Sequence, residues 1–444
     1  MQQMQRDQFI SLLFSKAEQA GFLEYEANYS AGKSFFVSVQ QGEVEKYTVN
    51  SFNKLTFKVK QGKRTAYGVT TVLDDTSADF LISQIKDNLS VLNSEDECFI
   101  FEGSESYAEL DEFSHELALV PDREKIELAR RIEAEALKHE GITKVMQSVV
   151  AYSQSQNAIR NSKGLDLHSE NNYVYAYCIP IASDGEKANN AVEYIFTKDI
   201  KAIDPVTMGA SAAKKALDGL HPRTVATGSY PVVFGGECMG DLLAAFCSAF
   251  SAEHAQKGLS LLADKQGEKI ASDVLTLCDD PLSPLCIIHD AYDDEGVATQ
   301  SKAVINNGVL TTLLHNLKTA NKAGVQSTGN ASGNSVSPAC MFIKPSDITQ
   351  AELFQMANNG VYITELNGMH SGTNSVSGDF SLSAKGYLIQ GGEQGDAVSD
   401  FVITGNFYTL LKDVLAVSDT MIWGLPPQFG APDVLVKGIM ISGG

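Results

Sequence analysis

The sequence predicts an α+β protein in which an α/β N-terminal domain at residues 1–222 precedes a β-rich C-terminal domain at residues 223–444. Long segments of the first half carry apolar residues at every third or fourth position, which indicates helices. The segments between them alternate polar and apolar residues, which indicates antiparallel strands. The second half is rich in Gly, Ser, Thr and Asn, with short strands that end in turns such as Asn307-Gly308. The composition changes after His221-Pro222-Arg223, where we place the domain boundary.

Four helices are predicted in the first half from apolar periodicity. The first covers residues 5–20, with Phe9, Leu12 and Leu13 on one side and Gly21 directly after it as a stop signal. The others cover residues 75–93, 122–140 and 205–220. The helix at 75–93 is expected to bury one row of apolar side chains, namely Phe80, Ile82, Ile85, Leu89 and Leu92.

A β-hairpin is predicted where Leu55, Phe57 and Val59 alternate with polar residues and the chain turns at Gln61-Gly62-Lys63. Further strands are expected at 145–152, 173–181 and 192–197, and an irregular acidic segment at 95–116. One face of the strand at 173–181 is expected to carry Tyr173, Tyr175, Tyr177 and Ile179. In the second half, helices are expected at 237–257 and 407–417.

The charge balance argues against nucleic acid as a partner. The chain carries 34 Lys and Arg residues against 55 Asp and Glu residues, a formal net charge of −21. Nucleic-acid binding depends on neutralising phosphates with Lys and Arg, and no basic cluster offsets the acidic balance. We therefore expect peptide or protein partners and no nucleic acid.

The cysteines and the apolar runs indicate the cellular setting. Seven cysteines, an odd number, occur without any Cys-x-x-Cys pair, which argues against a disulfide framework or a structural zinc knuckle. The first residues lack the layout of a signal peptide, and no apolar run approaches the ~20 residues that span a bilayer. We expect a cytoplasmic protein without a membrane partner.

The stretch PVVFGGECMGDLLAAF at 231–246 predicts a strand that runs into a helix. Glu237 and Asp241 are four residues apart and therefore share a helical face. Three interpretations remain open: acid–base or metal-binding carboxylates, carboxylates that complement the helix dipole, or a Cys238 thiolate nucleophile. The third requires a histidine base, and His254 lies ~24 Å away along a continuous helix.

The other histidines give weaker indications. His289 begins an acidic stretch that is either a solvated turn or an oxygen-rich cation site, formed with Asp290, Asp293, Asp294 and Glu295. His315 and His370 stand alone in polar segments, where a histidine is usually a satisfied polar residue. Since no two histidines are close enough to share a helical turn, the residues by themselves support no metal site.

Four segments of the second half resemble the TldD/PmbA family in order and spacing. They are DDEGVATQSKAVINNGVLTTLLHNLKTANKAG, STGNASG, HSGTNSVSGDFSLSAKGYLIQGGE and VITGNFYTLLKDVL. The resemblance covers most of 230–444 closely and 35–73 more loosely. It implies the TldD/PmbA fold, with an α/β N-terminal domain and a barrel-like sheet in the C-terminal domain. Members are named as modulators of DNA gyrase and are understood as paired peptidase subunits.

The resemblance also implies a role for the point at which the strand runs into the helix in 231–246. The TldD branch carries His-Glu-x-x-x-His there, and its two histidines and a later cysteine bind zinc while the Glu serves as base. Laid on that motif, Gly236 replaces the first His, Glu237 is the surviving acid, and Asp241 replaces the second His. No cysteine follows Cys340. The chain therefore resembles the TldE/PmbA-like branch, which implies no metal, no cofactor and no catalytic residue in this chain.

The leading hypothesis is the non-metal subunit of a TldD–TldE-type zinc metalloprotease acting on unfolded or small peptides, with zinc only in a TldD-like partner. The subunit would scaffold the chamber and help to hold the peptide by backbone hydrogen bonds. The cleft candidates, for which ordinary turns are the competing interpretation, are Ser327, Thr328, Gly329, Asn330, Ser377, Gly378, Asp379, Phe380 and Ser381.

Two other hypotheses remain. One is a homodimeric peptide- or protein-binding protein of the gyrase-modulator type, without protease activity, since isologous pairing is the commonest assembly. The other is an independent hydrolase that uses Glu237, Asp241 or the acidic cluster at His289, which the lack of imidazole ligands disfavours.

Overall fold

The structure, a computed structural model, describes residues 4–92 and 98–443 and confirms the mixed α+β class. The first half contains five helices and seven strands among its described residues. In chain order they are α1 (Arg6–Gln19), β1 (Glu24–Gln40), β2 (Glu43–Gln61), β3 (Arg64–Thr70), α2 (Asp75–Val91), α3 (His115–Ala118), α4 (Asp122–Ala136), β4 (Ile142–Asn161), β5 (Asp166–Ser183), β6 (Ala188–Asn190), β7 (Glu193–Thr197) and α5 (Pro205–Asp218).

These strands form one antiparallel sheet of seven strands in the order β3-β2-β1-β4-β5-β6, with β7 also paired to β5. Strand β5 shows how the sequence sets its two faces. Val174, Ala176 and Cys178 are buried in the core beneath α4 and α5, whereas Tyr173 and the alternate residues that follow it lie half-buried on the other face. The predicted alternation is confirmed.

The predicted helices of this half are confirmed with shifted ends. Helix α2 buries Ile82, Ile85 and Leu89, but Phe80 is 61% exposed, so its prediction as a core residue is wrong. Phe80 lies on the solvent side of the helix, because only the side that carries Ile82, Ile85 and Leu89 packs against the sheet. The predicted positions 93 and 95–97 lie outside the described residues.

The second half contains six helices and fourteen strands among its described residues. They are β8 (Gly228–Phe234), α6 (Gly236–Phe246), α7 (Ala252–Gln256), β9 (Leu277–Asp279), β10 (Lys302–Asn306), β11 (Val309–Leu310), α8 (Leu317–Ala323), β12 (Ala331–Ser332), β13 (Ser335–Val336), β14 (Met341–Ile343), α9 (Gln350–Ala357), β15 (Gly360–Asn367), α10 (Met369–Gly372), β16 (Asp379–Gln390), β17 (Glu393–Asn406), α11 (Phe407–Lys412), β18 (Val414–Val417), β19 (Ile422–Trp423), β20 (Phe429–Ala431) and β21 (Val434–Ser442).

Five of these strands close into a barrel in the order β17-β16-β15-β8-β21, with β21 pairing back to β17, and β18 extends β21. The expected barrel-like sheet is therefore confirmed. A second sheet has the order β11-β10-β9-β14-β20-β19. Helix α6 lies against both, since its apolar side chains Met239, Leu242 and Phe246 join the same core as the inward residues of the barrel.

Two helix predictions in this half are wrong in extent. The helix expected at 237–257 ends at Phe246, and after a short 3-10 turn the extended residue Ser251 separates it from α7. Hydrogen bonds from the Leu314 amide to the Phe250 carbonyl and from the Ala252 amide to the Leu314 carbonyl hold that break. The helix expected at 407–417 ends at Lys412. The residues that follow include valines, which favour strands, and they form β18 and pair with β21.

The prediction that the cysteines form no disulfide framework is wrong at one pair. Cys286 and Cys340 form a disulfide beside Phe342 and Trp423. Sequence spacing gave no indication of it, because the pairing of β14 with β9 and the turn after β9 bring the two cysteines together. The other five cysteines are free.

The acidic stretch at His289 contains the predicted turn, with Asp290 and Asp294 exposed, but it is not wholly solvated because it also joins the two halves. Glu112 accepts from the His289 backbone amide at 3.0 Å, contacts His289 Nδ1 at 2.9 Å, and also pairs with Lys198. Tyr107 donates to the Gly296 carbonyl at 2.8 Å. These contacts fix the turn against the first half.

Within residues 4–92 and 98–443, every helix is too short or too polar to span a lipid bilayer.

We expect Glu112→Gln to destabilise the protein by about 1–3 kcal/mol, because it removes the charge from a carboxylate that holds His289 and Lys198. Thermal unfolding measures the effect. Glu116→Gln is the matched control, since Glu116 is 89% exposed and its oxygen lies 3.8 Å from Lys201 Nζ. Equal melting temperatures for the two variants would contradict the prediction.

Candidate functional site

The candidate site begins where β8 runs into α6. Gly235 is the N-cap of α6, and glycine has no side chain with which to cap the helix. Asp433, only 2% exposed, supplies the missing acceptor by taking the Gly236 amide hydrogen at 2.9 Å. Its second oxygen accepts from Gln350 Nε2 at 2.6 Å. The start of α6 is therefore positioned by a carboxylate that is distant in sequence.

Gly236 has no room for a side chain. A Cβ atom at this position would lie 2.2 Å from the Ala431 carbonyl oxygen and 2.8 Å from Ile422 Cβ. Both atoms belong to rigid parts of the neighbouring strands, so a Cβ requires the backbone to move. The structure thus excludes an imidazole at the position that the resemblance aligns with the first zinc histidine.

Glu237 and Asp241 border a cavity of about 210 Å³ between the two halves of the chain. Their placement on one helical face is as predicted. The cavity is lined from the first half by Asn189, Asn190, Val192, Lys215, Gly219 and Pro222, and from the second half by Glu237, Cys238, Asp241, Thr364, Glu365, Leu366, Lys385, Gly386, Tyr387, Ala397, Val398 and Ser399.

The two lysines of the cavity already have carboxylate partners. Lys215 Nζ lies 2.9 Å from Glu193, and Lys385 Nζ lies 3.1 Å from Glu365. Glu237 and Asp241 have no such ion pair among the described residues. The cavity therefore carries a local excess of acidic groups.

Two carboxyl groups of this cavity, Glu237 and Asp241, hold protons more tightly than usual. Burial raises the pKa of Glu237, an effect that nearby Lys215 partly opposes and the Asp241 carboxyl adds to. Asp241 lies at the exposed rim of the cavity, but the protein around its carboxyl group excludes part of the water there. This partial desolvation raises the pKa of Asp241 to about 6. The Tyr194 hydroxyl donates to the Trp423 carbonyl at 2.9 Å and also interacts with the Glu237 carboxyl, which opposes part of the rise in the pKa of Glu237. Asp241 can thus exchange a proton near neutral pH, and Glu237 holds its proton more tightly than an exposed glutamate does.

The nucleophile interpretation of Cys238 fails. Its side chain is 1% exposed, and burial raises the pKa of the thiol, so the thiolate is disfavoured. The helix does end before His254, which lies on α7, but no hydrogen bond joins that histidine to Cys238 in the described part of the chain. Cys238 is a core residue of α6.

The two predicted cleft segments lie apart from this cavity, and none of their nine residues borders it. At Ser327–Asn330, Asn330 donates to buried Asp279 at 2.7 Å, and Gly329 has a positive φ of 68° with the Ala298 carbonyl beside it. At Ser377–Ser381, Asp379 accepts from Asn406 at 2.9 Å. These bonds hold an ordered loop at 327–330 and the start of β16 at Asp379, and a cleft role for the segments stays a prediction.

The remaining predicted residues do not form a second site. His315 is 8% exposed, and burial lowers its pKa. His370 lies in the short helix α10. Asp293 binds the backbone amides of Val297 and Ala331, at 3.0 and 2.8 Å, so the acidic stretch uses its carboxylates for local structure. Across residues 4–92 and 98–443, no three His, Cys, Asp or Glu side chains come together as a metal site.

Several residues that shape the site were not predicted from the sequence. Lys215, Tyr194 and Lys385 reach it from three different elements, and Asp433 precedes β21. None belongs to a short motif, so only the folded chain brings them to α6.

Two family models match the chain. The PmbA/TldA metallopeptidase C-terminal domain matches residues 227–443, and the central domain matches residues 115–220. The chain belongs to the PmbA/TldD family. The resemblance proposed from the sequence is thereby confirmed at the level of the family.

Named relatives match over most of the chain. Metalloprotease PmbA of Escherichia coli O157:H7 is 27% identical over 416 residues, covering 92% of this chain and 89% of that protein. A metalloprotease PmbA homologue of Haemophilus influenzae is 28% identical over 324 residues, covering 71% of this chain and 69% of the relative.

Solved structures share the whole fold. The crystal structure of a candidate modulator of a DNA gyrase from Thermotoga maritima MSB8 has a TM-score of 0.93 and 30% identity, covering 99% of this chain and all of that one. TldE from Thermococcus kodakarensis has a TM-score of 0.90 and 23% identity, covering 98% of this chain and all of that one. At that identity, the second likeness shows the fold alone.

We expect Gly236→Ala to destabilise the protein by about 1–3 kcal/mol or more, because the added methyl group meets the Ala431 carbonyl at 2.2 Å. Gly240→Ala in the same helix is the control, since its Cβ would lie 3.3 Å from the Phe429 carbonyl oxygen. Differential scanning calorimetry compares the two. A Gly236→Ala protein as stable as Gly240→Ala would show that the strand can yield.

We expect Asp241→Asn to stabilise the protein relative to wild type more at pH 7 than at pH 4. The pKa of Asp241 is about 6 in the folded chain against an ordinary 3.8, so the folded state binds this proton more tightly. Stability is therefore lost as the pH rises between these values, and asparagine removes that loss. Thermal unfolding at both pH values measures it. An equal difference between variant and wild type at both would contradict the assignment.

Proposed function

We propose that the chain is the non-metal, TldE/PmbA-like subunit of a TldD–TldE-type zinc metalloprotease that acts on unfolded or small peptides. It scaffolds the chamber and helps to hold the substrate, while a TldD-like partner carries the zinc. The observation that carries this proposal is the closed space at Gly236, where a Cβ would lie 2.2 Å from the Ala431 carbonyl oxygen. A zinc ligand cannot be placed there without moving β20.

The donors that remain where β8 runs into α6 do not fit a catalytic zinc. Such sites use three protein ligands, mostly imidazole or thiolate, and an open position for water. Here α6 brings two carboxylates to the cavity, Glu237 and Asp241, while the third lining carboxylate, Glu365, is paired with Lys385 and Cys238 is only 1% exposed. We therefore assign no step of zinc chemistry to this chain.

The family relationship supports a role in proteolysis. Relatives from Escherichia coli and Haemophilus influenzae carry the name metalloprotease PmbA, and a protein named TldE shares the fold. The cavity supports a role in holding peptide, because it lies between the halves and offers carboxyl groups beside the strands β15 and β16. We keep the proposed domain boundary at 222, which lies between the matched central domain, ending at 220, and the matched C-terminal domain, beginning at 227. We place this activity in the cytoplasm.

The proposal is tested by mixing the purified chain with a family member that carries His-Glu-x-x-x-His. We expect the mixture to cleave an unfolded polypeptide, a chelator to stop the cleavage, and light scattering to show a complex of both chains. The partner with its motif Glu replaced by Gln is the control and should bind without cleaving.

Chelator-sensitive cleavage by this chain alone would overturn the proposal. Failure to bind any such partner, together with peptide binding by the chain alone, would instead favour the homodimeric binding protein.

A further inference from the structure

A lysine, an aspartate and an asparagine form a buried cluster beside the second sheet. Strands β9 and β10 pair so that Asp279 lies directly opposite Lys302, and Asn330 directly precedes β12. Asp279 is 0% exposed, Asn330 2%, and the side chain of Lys302 9%. Water therefore has little access to these three groups.

One carboxylate oxygen of Asp279 holds both the amine and the amide. Lys302 Nζ lies 3.0 Å from Asp279 Oδ2, and Asn330 Nδ2 donates to the same oxygen at 2.7 Å. The other oxygen, Oδ1, accepts from the backbone amides of Ala339 and Cys340 at 2.8 and 2.9 Å. The carboxylate is thus fixed in place, and it brings the amine and the amide together at Oδ2.

The orientation of the Asn330 amide follows from its partners. Nδ2 also donates to the Ser337 carbonyl at 3.0 Å, and a carboxylate and a carbonyl can only accept hydrogen bonds. The Asn330 carbonyl oxygen therefore points the other way, where the Thr328 hydroxyl donates to it at 2.8 Å. A donor at this oxygen stabilises the negative charge that develops there when a nucleophile adds to the amide carbon.

We propose that the side chains of Lys302 and Asn330 become joined by an isopeptide bond, with Asp279 as the catalytic residue. The bond would link β10 to the segment before β12. This inference does not depend on the zinc-subunit proposal, because none of the three residues borders the Glu237 cavity.

The reaction needs only proton transfers by Asp279. Its carboxylate takes a proton from the Lys302 ammonium, which frees the lone pair of Nζ, and Nζ then adds to Cγ of Asn330. Asp279 passes its proton to Nδ2 and accepts a second proton from Nζ. The Cγ–Nδ2 bond breaks and ammonia leaves. The products are one Nζ–Cγ amide, one ammonia molecule and a neutral Asp279 carboxyl group, and no oxidant or cofactor is consumed.

Burial favours this outcome. Before the reaction, an ammonium and a carboxylate are both held out of water, which is costly even when the two are paired. Afterwards both charges are gone, and a neutral amide and a neutral carboxyl group are much less costly to bury. The exclusion of water also protects the new amide from hydrolysis.

A similar trio lies in the first sheet but lacks the shared oxygen. Lys58 Nζ lies 2.7 Å from Glu26 Oε1, whereas Asn161 Nδ2 donates to Glu26 Oε2 at 3.2 Å. Glu26 on β1 pairs with Lys58 on β2 and with Asn161 on β4, which flank β1 on opposite sides. The two backbones are therefore two strand spacings apart, roughly 10 Å, and the amine and the amide reach the carboxylate from opposite sides. We expect no bond there.

Mass spectrometry of the whole chain tests the proposal. After reduction of disulfides, we expect the folded wild-type protein to be lighter than its sequence by one ammonia per chain. Trypsin should fail to cut after Lys302, and tandem spectra should show a branched peptide that joins Lys302 to Asn330. A wild-type mass equal to that of the sequence, after prolonged incubation of the folded protein, would overturn the proposal.

Lys302→Arg removes the nucleophile but keeps a positive charge beside Asp279. We expect this variant to retain its full mass. Lys58→Arg makes the same change in the first sheet and is the matched control, which should lose one ammonia as wild type does. A loss of ammonia that persists in Lys302→Arg would come from a cyclised asparagine, and it would equally overturn the proposal.

Asp279→Asn tests the catalytic role, since an amide of similar size cannot take the proton of the ammonium. We expect this variant to retain its full mass while Lys302 and Asn330 are both present. Circular dichroism establishes whether it folds, and if it does not, the wild-type and Lys302→Arg masses still decide whether the bond forms. A folded Asp279→Asn protein that loses ammonia as fast as wild type would contradict the role of Asp279.

Discussion

The close approach of α6 to strand β20 is the constraint on which the rest of the site depends. Gly236 lies directly against the Ala431 carbonyl, and Asp433, two residues further along, takes the Gly236 amide hydrogen. The same short segment thus excludes a side chain and anchors the helix. With α6 fixed in this way, Glu237 and Asp241 turn toward the first half of the chain, and Met239, Leu242 and Phe246 turn into the core.

Much of the fold was predictable, because local patterns coincide with long-range packing. The α2 and β5 patterns hold in the structure because each element has one buried face. Prediction failed where tertiary hydrogen bonds override local preference, as at Ser251, whose neighbours bond to Leu314 in the middle of an expected helix. It also failed at the Cys286–Cys340 disulfide, because strand pairing and not sequence spacing decides which cysteines meet.

The candidate site was predictable only along α6. The helical spacing of Glu237 and Asp241 placed both on one face, and the lost ligand positions were visible once the family pattern was laid on the sequence. Lys215 and Lys385 also line the cavity, and they pair with Glu193 and Glu365 from other elements. No sequence motif links these residues to α6. The lack of space for a side chain at Gly236 is caused by β20, which is distant in sequence. The sequence therefore showed that a histidine is absent at this position, but not that there is no room for one.

The closed barrel has a consequence for synthesis on the ribosome. Its ring joins β8 to β21, where Gly228 pairs with Ile441, about 200 residues later. The sheet of the first half is complete by Thr197 and can form while translation continues. The barrel cannot close until its last strand has left the exit tunnel, and its large contact order makes that step slow. Until then the edges of β8 and β17 that pair with β21 have no partner strand, and holdase chaperones can bind the nascent chain there.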